Sequence, residues 1–233
     1  MLKRIAVLAS GGGSNLAALH DYLRDGAPPE IVLVASDQPR AGALERARSW
    51  DIAAVTLSDR GSDASQIERL LQEHAVELIV LAGYLRHVPR SVVAAYRGRI
   101  INIHPALLPS FGGAGMYGRR VHAAVIEHGA RVSGATVHFV DEEYDRGPII
   151  AQWPVPVLYD DTPEALAARV LHVEHLLLPR AVHAVARGSV HLDDEGRLVC
   201  PVSREASVAS AFTLHSESDD TIAEAIDRLF LDA

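Results

Sequence analysis

Four short stretches, Arg4 to Ala9, Ile31 to Ala35, Glu77 to Ala82 and Arg99 to His104, each carry a nearly unbroken apolar run. A run of that kind suits a strand covered on both faces, the usual condition of a parallel sheet with helices packed on either side. Helical spacing fills the gaps. Leu16, Leu19 and Leu23 mark a helix over 15–24, and a helix over 41–50 carries Glu45 before Arg48. A short strand follows at Ala53 to Leu57, and Ile67, Leu70, Leu71 and His74 mark the next helix. Another helix is expected from Pro89, a first-turn residue, to Tyr96, with Gly98 ending it. The alternation predicts an α/β fold with a doubly wound, mostly parallel sheet.

From Arg131 the rhythm changes. Val132 to Val140 and Ile149 to Val157 read as strands joined by Asp141 to Gly147, a connection too short for a crossover helix, so this pair is expected to be antiparallel. Thr162 and Pro163 suit the cap and first position of a long helix whose apolar face is Leu166, Val170, Val173, Leu177 and Leu178. Residues 191–200 suit a hairpin turning at Asp194-Glu195-Gly196. Residues 203–218 are polar, and 221–229 suits a terminal amphipathic helix with Ile222, Ile226 and Leu229 on one side.

Composition excludes several classes of function. A chain of 233 residues carries a formal net charge of -8 and no basic footprint, which argues against sequence-independent nucleic-acid binding. No apolar run approaches the roughly 20 residues of a membrane span. The basic and apolar start, Met1 to Ala9, has too short an apolar core for a signal peptide and reads as a strand before a turn. A cytoplasmic protein is expected. The single cysteine, Cys200, rules out an internal disulfide and disfavours a cysteine-based metal site.

Three constellations can carry chemistry. Ser10-Gly-Gly-Gly-Ser-Asn15 joins a buried strand to a helix, so its amides and the helix N-terminus can hold a phosphate. A tight turn with Ser14 or Asn15 capping the helix has the same composition. A dinucleotide site is a third reading, with Asp37 as the ribose-binding acid, although Leu16 stands where that fingerprint wants glycine or alanine. The second constellation is Asn102 with His104, on one face at the carboxyl end of a strand. An amide there suits a developing oxyanion and an imidazole can move a proton, though a satisfied Asn and an ordinary histidine would look alike. The third is Asp145, which as a loop residue is a turn former and beside His104 would favour the imidazolium. His172, His175 and His183 share the long helix with Glu174, but they do not form the HExxH arrangement and the histidines read as helix-surface residues.

Taken together, these stretches resemble the folate-dependent formyltransferases of de novo purine synthesis. The matching motifs are the loop at 10–15, Leu81-Ala-Gly-Tyr-Leu-Arg86, Ile101-Asn-Ile-His-Pro-Ala-Leu-Leu-Pro109, Gly134 to Val140, Asp145-Arg-Gly-Pro148 and Arg169 to His175. They imply a formyltransferase-like Rossmann variant, with a catalytic domain over 1–188 and, over 189–233, a hairpin and tail packed on the same domain. The implied reaction moves the formyl group of 10-formyltetrahydrofolate, a cosubstrate, to the amine of 5-phosphoribosylglycinamide without a metal. Asn102, His104 and Asp145 would be catalytic. Gly13, Ser14 and Asn15 would hold the phosphate and Glu174 the ribose. Arg60, Leu85, Arg86, His87, Val88, Asn102 and Asp141 would meet the folate. The partners implied are small molecules, with no nucleic acid and no membrane, for a monomer or homodimer.

The chain departs from the family pattern in the glycine-rich stretch Phe111 to Gly118, in Arg146 after Asp145, and in the tail from Ser203. A formyl-folate hydrolase and a sugar-amine formyltransferase share the fold. A tRNA formyltransferase would be expected to carry a basic C-terminal domain, whereas 203–233 is short and acidic. A non-catalytic nucleotide-binding module is the alternative from another class.

Overall fold

The computed structural model describes residues 1–24, 29–200 and 219–228. Along the chain run β1 (Arg4–Leu8), α1 (Ser14–Leu23), β2 (Glu30–Ser36), α2 (Gly42–Ser49), β3 (Ala53–Thr56), a 3-10 turn (Ser58–Gly61), α3 (Ala64–Glu73), β4 (Leu78–Leu81), α4 (Arg90–Ala95) and β5 (Ile100–His104). Then come α5 (Arg119–Glu127), β6 (Val132–Phe139), β7 (Ile149–Pro156), α6 (Pro163–Arg187), β8 (His191–Leu192), β9 (Leu198–Val199) and α7 (Asp219–Arg228). Seven strands are hydrogen-bonded in the order β3-β2-β1-β4-β5-β6-β7, and β8 and β9 form a separate antiparallel pair. The doubly wound, mostly parallel sheet expected from the apolar runs is present.

Two compact units divide the chain, Met1–Asn102 with Phe139–Gly147, and Ile103–His138 with Pro148–Ala233. In the first, β1 pairs in parallel with β2 and β4, β2 with β3, and β4 with β5. Both faces are covered: Ala6, Leu8, Leu33, Ile79 and Leu81 join Ile67, Leu71 and Val92 of α3 and α4 in one core, while Ile5, Val7, Val34 and Val80 on the opposite faces are also fully buried. This explains why these strands read as continuous apolar runs rather than alternating ones.

In the second unit β6 and β7 pair antiparallel, Val132 opposite Pro156 and Ala135 opposite Trp153. The Thr162 hydroxyl accepts the Ala165 N–H at 3.1 Å and Pro163 follows it, so α6 starts where its cap places it. Arg169, a motif residue, binds the Asp161 carboxylate with both terminal nitrogens and the Pro156 carbonyl. Its role at that end of the helix is structural. The terminal helix α7 starts at Asp219, ahead of the expected 221, and rests on α6 through fully buried Ile226 and an Arg180–Asp227 ion pair of 2.7 Å. Leu229 and the polar stretch 203–218 lie outside the described residues. Pro89 also differs from expectation: it is the N-cap of α4, one position ahead of the first turn.

Candidate functional site

The glycine loop is built around Gly13. Its φ of 74° lies in the left-handed region, and a Cβ there would stand 2.8 Å from the Ala43 Cα, so conformation and space both demand glycine. Gly13 itself is the N-cap of α1, with no side-chain cap, which corrects the reading of Ser14 or Asn15 as cap: the left-handed turn moves the helix start one residue earlier. The carbonyls of Gly11 and Gly12 turn toward α2, accepting from the Ala43 N–H at 3.1 Å and the Arg46 Nε at 2.9 Å. The first bond of α1 runs from the Ala17 N–H to the Gly13 carbonyl at 2.9 Å, so the amides of the first turn have no intrahelical acceptor. A Cβ on Gly11 or Gly12 would meet nothing within 4 Å. With carbonyls taken on one side and open space on the other, the loop has the form of an anion cradle. Gly13→Ala is expected to destabilise the protein by about 1–3 kcal/mol and to weaken phosphate-ligand binding. Urea unfolding and ligand titration check this, and unchanged values in both would refute it.

Asp37 does not serve as a ribose-binding acid in this arrangement. It is buried, its Oδ1 accepts the Ser10 hydroxyl, and its Oδ2 accepts from Gln38 Nε2 at 2.8 Å and Arg86 Nε at 3.3 Å. The Ser10 hydroxyl in turn accepts the Leu85 N–H at 2.9 Å, and the Ser10 N–H donates to the Gly83 carbonyl at 3.0 Å. The carboxylate is thus committed to two loops of the fold. Neither Ser10 nor this use of Asp37 was identified from the sequence; the signal lay in Ser10 opening the glycine loop.

Leu85 and Arg86 are exposed, His87 is half-buried and Val88 is buried. In the same unit the Asp141 to Gly147 loop lies against them: His87 Nε2 is 3.3 Å from the Glu142 carbonyl, its ring meets Tyr144 edge-on at 4.8 Å, and Arg90 pairs with Glu142 at 3.8 Å. Asp141 accepts the Glu143 N–H at 2.9 Å, and Asp145 has a positive φ of 55°. Arg60 is exposed in the 3-10 turn, where the adjoining Gly61 lies so close to Tyr84 that a Cβ would come within 2.1 Å of the tyrosine hydroxyl. His87 and Arg90 are thereby tied to the 141–145 loop within this unit, and Gly61, next to Arg60, packs on Tyr84. Asn102, half-buried, ends the part of β5 that belongs to it, opposite Leu81.

His104 and Glu174 belong to the second unit. His104 is buried, its Nε2 2.9 Å from the Phe111 carbonyl. The turn after it is held by Thr136, whose hydroxyl donates to the Ala106 carbonyl at 2.6 Å and accepts the Leu108 N–H at 3.1 Å. Glu174 is buried on α6. His172 beside it is exposed, and burial, followed by the His172 charge, lowers the pKa of His175. Among the described residues no group of three or more His, Cys, Asp and Glu side chains is arranged to hold a metal ion.

His122 of α5 is 4% exposed and its Nδ1 has no hydrogen-bond partner among the described residues. Burial, and then the charge of nearby His104, lower its pKa from 6.5 to about 4. The unfolded chain takes up this proton near 6.5 and the folded chain only near 4, so stability from neutral His122 is intact above 6.5 and is lost as pH falls toward 4. His122→Leu is expected to shrink the fall in the urea midpoint between about pH 7 and about pH 5. A fall equal to that of the unaltered protein would refute this.

A mostly parallel sheet with a glycine loop opening a helix after its first strand, and an Asn-x-His-Pro turn at the end of its fifth, defines a recognisable class. The sequence model of the formyl transferase family matches residues 3–182, and the chain belongs to that family. It is 45% identical over 202 residues to the chloroplastic phosphoribosylglycinamide formyltransferase of Arabidopsis thaliana, covering 83% of this chain and 69% of the relative. The solved phosphoribosylglycinamide formyltransferase of Anaplasma phagocytophilum superposes with a TM-score of 0.79 at 38% identity, over 86% of this chain and 94% of that one. Glycinamide ribonucleotide transformylase 1 of Symbiobacterium toebii gives 0.77 at 40% identity, over 85% and 94%. No helix among the described residues is long and apolar enough to cross a membrane.

Proposed function

We propose that this formyl transferase moves the formyl group of 10-formyltetrahydrofolate to the amine of 5-phosphoribosylglycinamide, a step of de novo purine (IMP) biosynthesis. The observation that carries the reading is the Gly11 to Asn15 loop, whose form suits an anion, in a chain whose relatives bear that enzyme's name. Gly13, Ser14 and Asn15 take the phosphate and Glu174 the ribose hydroxyls. Arg60, Leu85, Arg86, His87, Val88, Asn102 and Asp141 line the folate site, an assignment supported by the ties between the 60–61, 84–88 and 141–145 segments.

The substrate's uncharged amine attacks the formyl carbon, and the carbonyl electron pair moves to oxygen. Asn102 and protonated His104 stabilise that oxyanion, while Asp145 keeps His104 protonated and orders a water. The water passes a proton from the attacking amine to the folate nitrogen. The carbon–nitrogen bond to the folate then breaks, giving formylated ribonucleotide and tetrahydrofolate. No enzyme nucleophile takes part.

Residues 1–188 act as the catalytic domain in this proposal, and 189–233 as a hairpin and tail upon it. The protein works as a monomer or homodimer in the cytoplasm, and its acidity supports small-molecule rather than nucleic-acid partners. Incubation with both substrates should yield formylated ribonucleotide and tetrahydrofolate in equal amounts. Formate release independent of the amine would assign a hydrolase instead, and nucleotide binding without turnover a non-catalytic module.

A further inference from the structure

The order β2-β1-β4 places three loops side by side at the strand ends: Ser10 after β1, Asp37 after β2, and Gly83 to Arg86 after β4. Ser10 bridges them through a single hydroxyl, donating to Asp37 and accepting from the Leu85 N–H at 2.9 Å. Both ends of that hydroxyl are engaged, so it cannot turn without releasing one loop. Asp37, its side chain only 1% exposed, requires a cation, and Arg86 supplies one at 3.3 Å from a side chain 41% exposed. Arg86 is thereby anchored through Nε, leaving its terminal nitrogens to a ligand.

We propose that Ser10 and Asp37 are positioning residues that couple the two substrate sites, so that occupation of the phosphate cradle sets the Leu85 peptide and the Arg86 guanidinium for the folate. This rests on the proposed function, in which 11–15 and 85–88 belong to different substrates. Ser10 is the residue next to the cradle, and an anion that draws in the Gly11 to Asn15 amides restrains it directly. The restraint reaches Leu85 through one hydrogen bond and Arg86 through the buried carboxylate. Linkage makes the effect reciprocal, since each ligand must then tighten the other by the same factor.

The test uses tetrahydrofolate, which carries no formyl group and forms an unreactive complex with 5-phosphoribosylglycinamide. Its dissociation constant is measured by calorimetry with and without saturating ribonucleotide. Unaltered protein is expected to bind tetrahydrofolate about 5-fold more tightly when the ribonucleotide is present. Ser10→Ala should bring that ratio close to one, and Ser10→Thr, which keeps the hydroxyl, should restore it. Asp37→Asn keeps an acceptor for Ser10 but offers Arg86 no charge, so it should weaken tetrahydrofolate alone by about 10-fold, the loss of a charge-assisted bond. Binding of both ligands with the same ratio in Ser10→Ala as in unaltered protein would overturn the coupling and leave the function standing. Failure of folded, unaltered protein to bind either ligand would overturn both.

Discussion

His104→Ala is expected to lower kcat at least about 100-fold while KM for each substrate stays within about 3-fold, the signature of a group that acts in the transition state. The imidazole is 3% exposed and its Nε2 lies 2.9 Å from the Phe111 carbonyl, which fits an N–H donor there and restrains the ring's rotation. In the proposed mechanism its charge meets the oxyanion only after the amine has attacked, so ground-state binding loses little when the ring is removed. Asp145→Asn should cost a similar factor, because a neutral amide cannot hold the imidazolium. The double variant should be scarcely worse than either single one, since the proposed mechanism has the two act as a unit. Steady-state kinetics decide the matter: a His104→Ala enzyme retaining a tenth of the original kcat, or fully multiplicative losses in the double variant, would remove His104 from this role.

Gly147→Ala should cost about 3 kcal/mol or more in urea unfolding and weaken folate binding with it, near the upper end of what overpacking does. A Cβ there would lie 1.9 Å from the Phe139 carbonyl oxygen and 2.8 Å from its carbon, both backbone atoms at the neck of the Asp141 to Gly147 loop. The neighbouring Val140 N–H donates to the Ile100 carbonyl at 2.9 Å, so the neck cannot move aside without disturbing β5. Asp141 and Asp145 ride on the loop that this contact closes. Gly11→Ala is the control, because a Cβ at Gly11 meets nothing within 4 Å and should change stability by under about 0.5 kcal/mol. Equal stabilities of the two variants would show that the Phe139 contact does not hold the loop.

Much of the fold was legible because each strand advertises its own environment. Leu78 to Leu81 is buried at every position, and the run of apolar residues says so without reference to any neighbour. Thr162 and Pro163 mark the start of α6 by chemistry internal to one turn. The seven-residue link at 141–147 forces an antiparallel pair by its length alone. The glycine turn between β1 and α1, too, was visible, since strand, glycines and helix are consecutive in the chain.

What local pattern could not supply is the meaning of a residue whose partner is remote. Asp37 stands after β2 where a ribose-binding acid would stand, yet it meets Ser10 and Arg86, 27 and 49 residues away, because β1 and β4 are the next strands in the sheet. A carboxylate's role depends on which charge neutralises it, and spacing along the chain does not give that. His122 becomes a buried neutral imidazole only through the elements packed around it. Thr136 and Arg169 belong to family motifs, but their bonds go to the Ala106 carbonyl and to Asp161, so they hold the scaffold. Periodicity, turn chemistry and motif order thus decided the architecture and the family, being properties of neighbours in sequence. Strand order and burial decided which polar groups meet, and with them how Ser10 and Asp37 tie the cradle to the loop that carries Arg86.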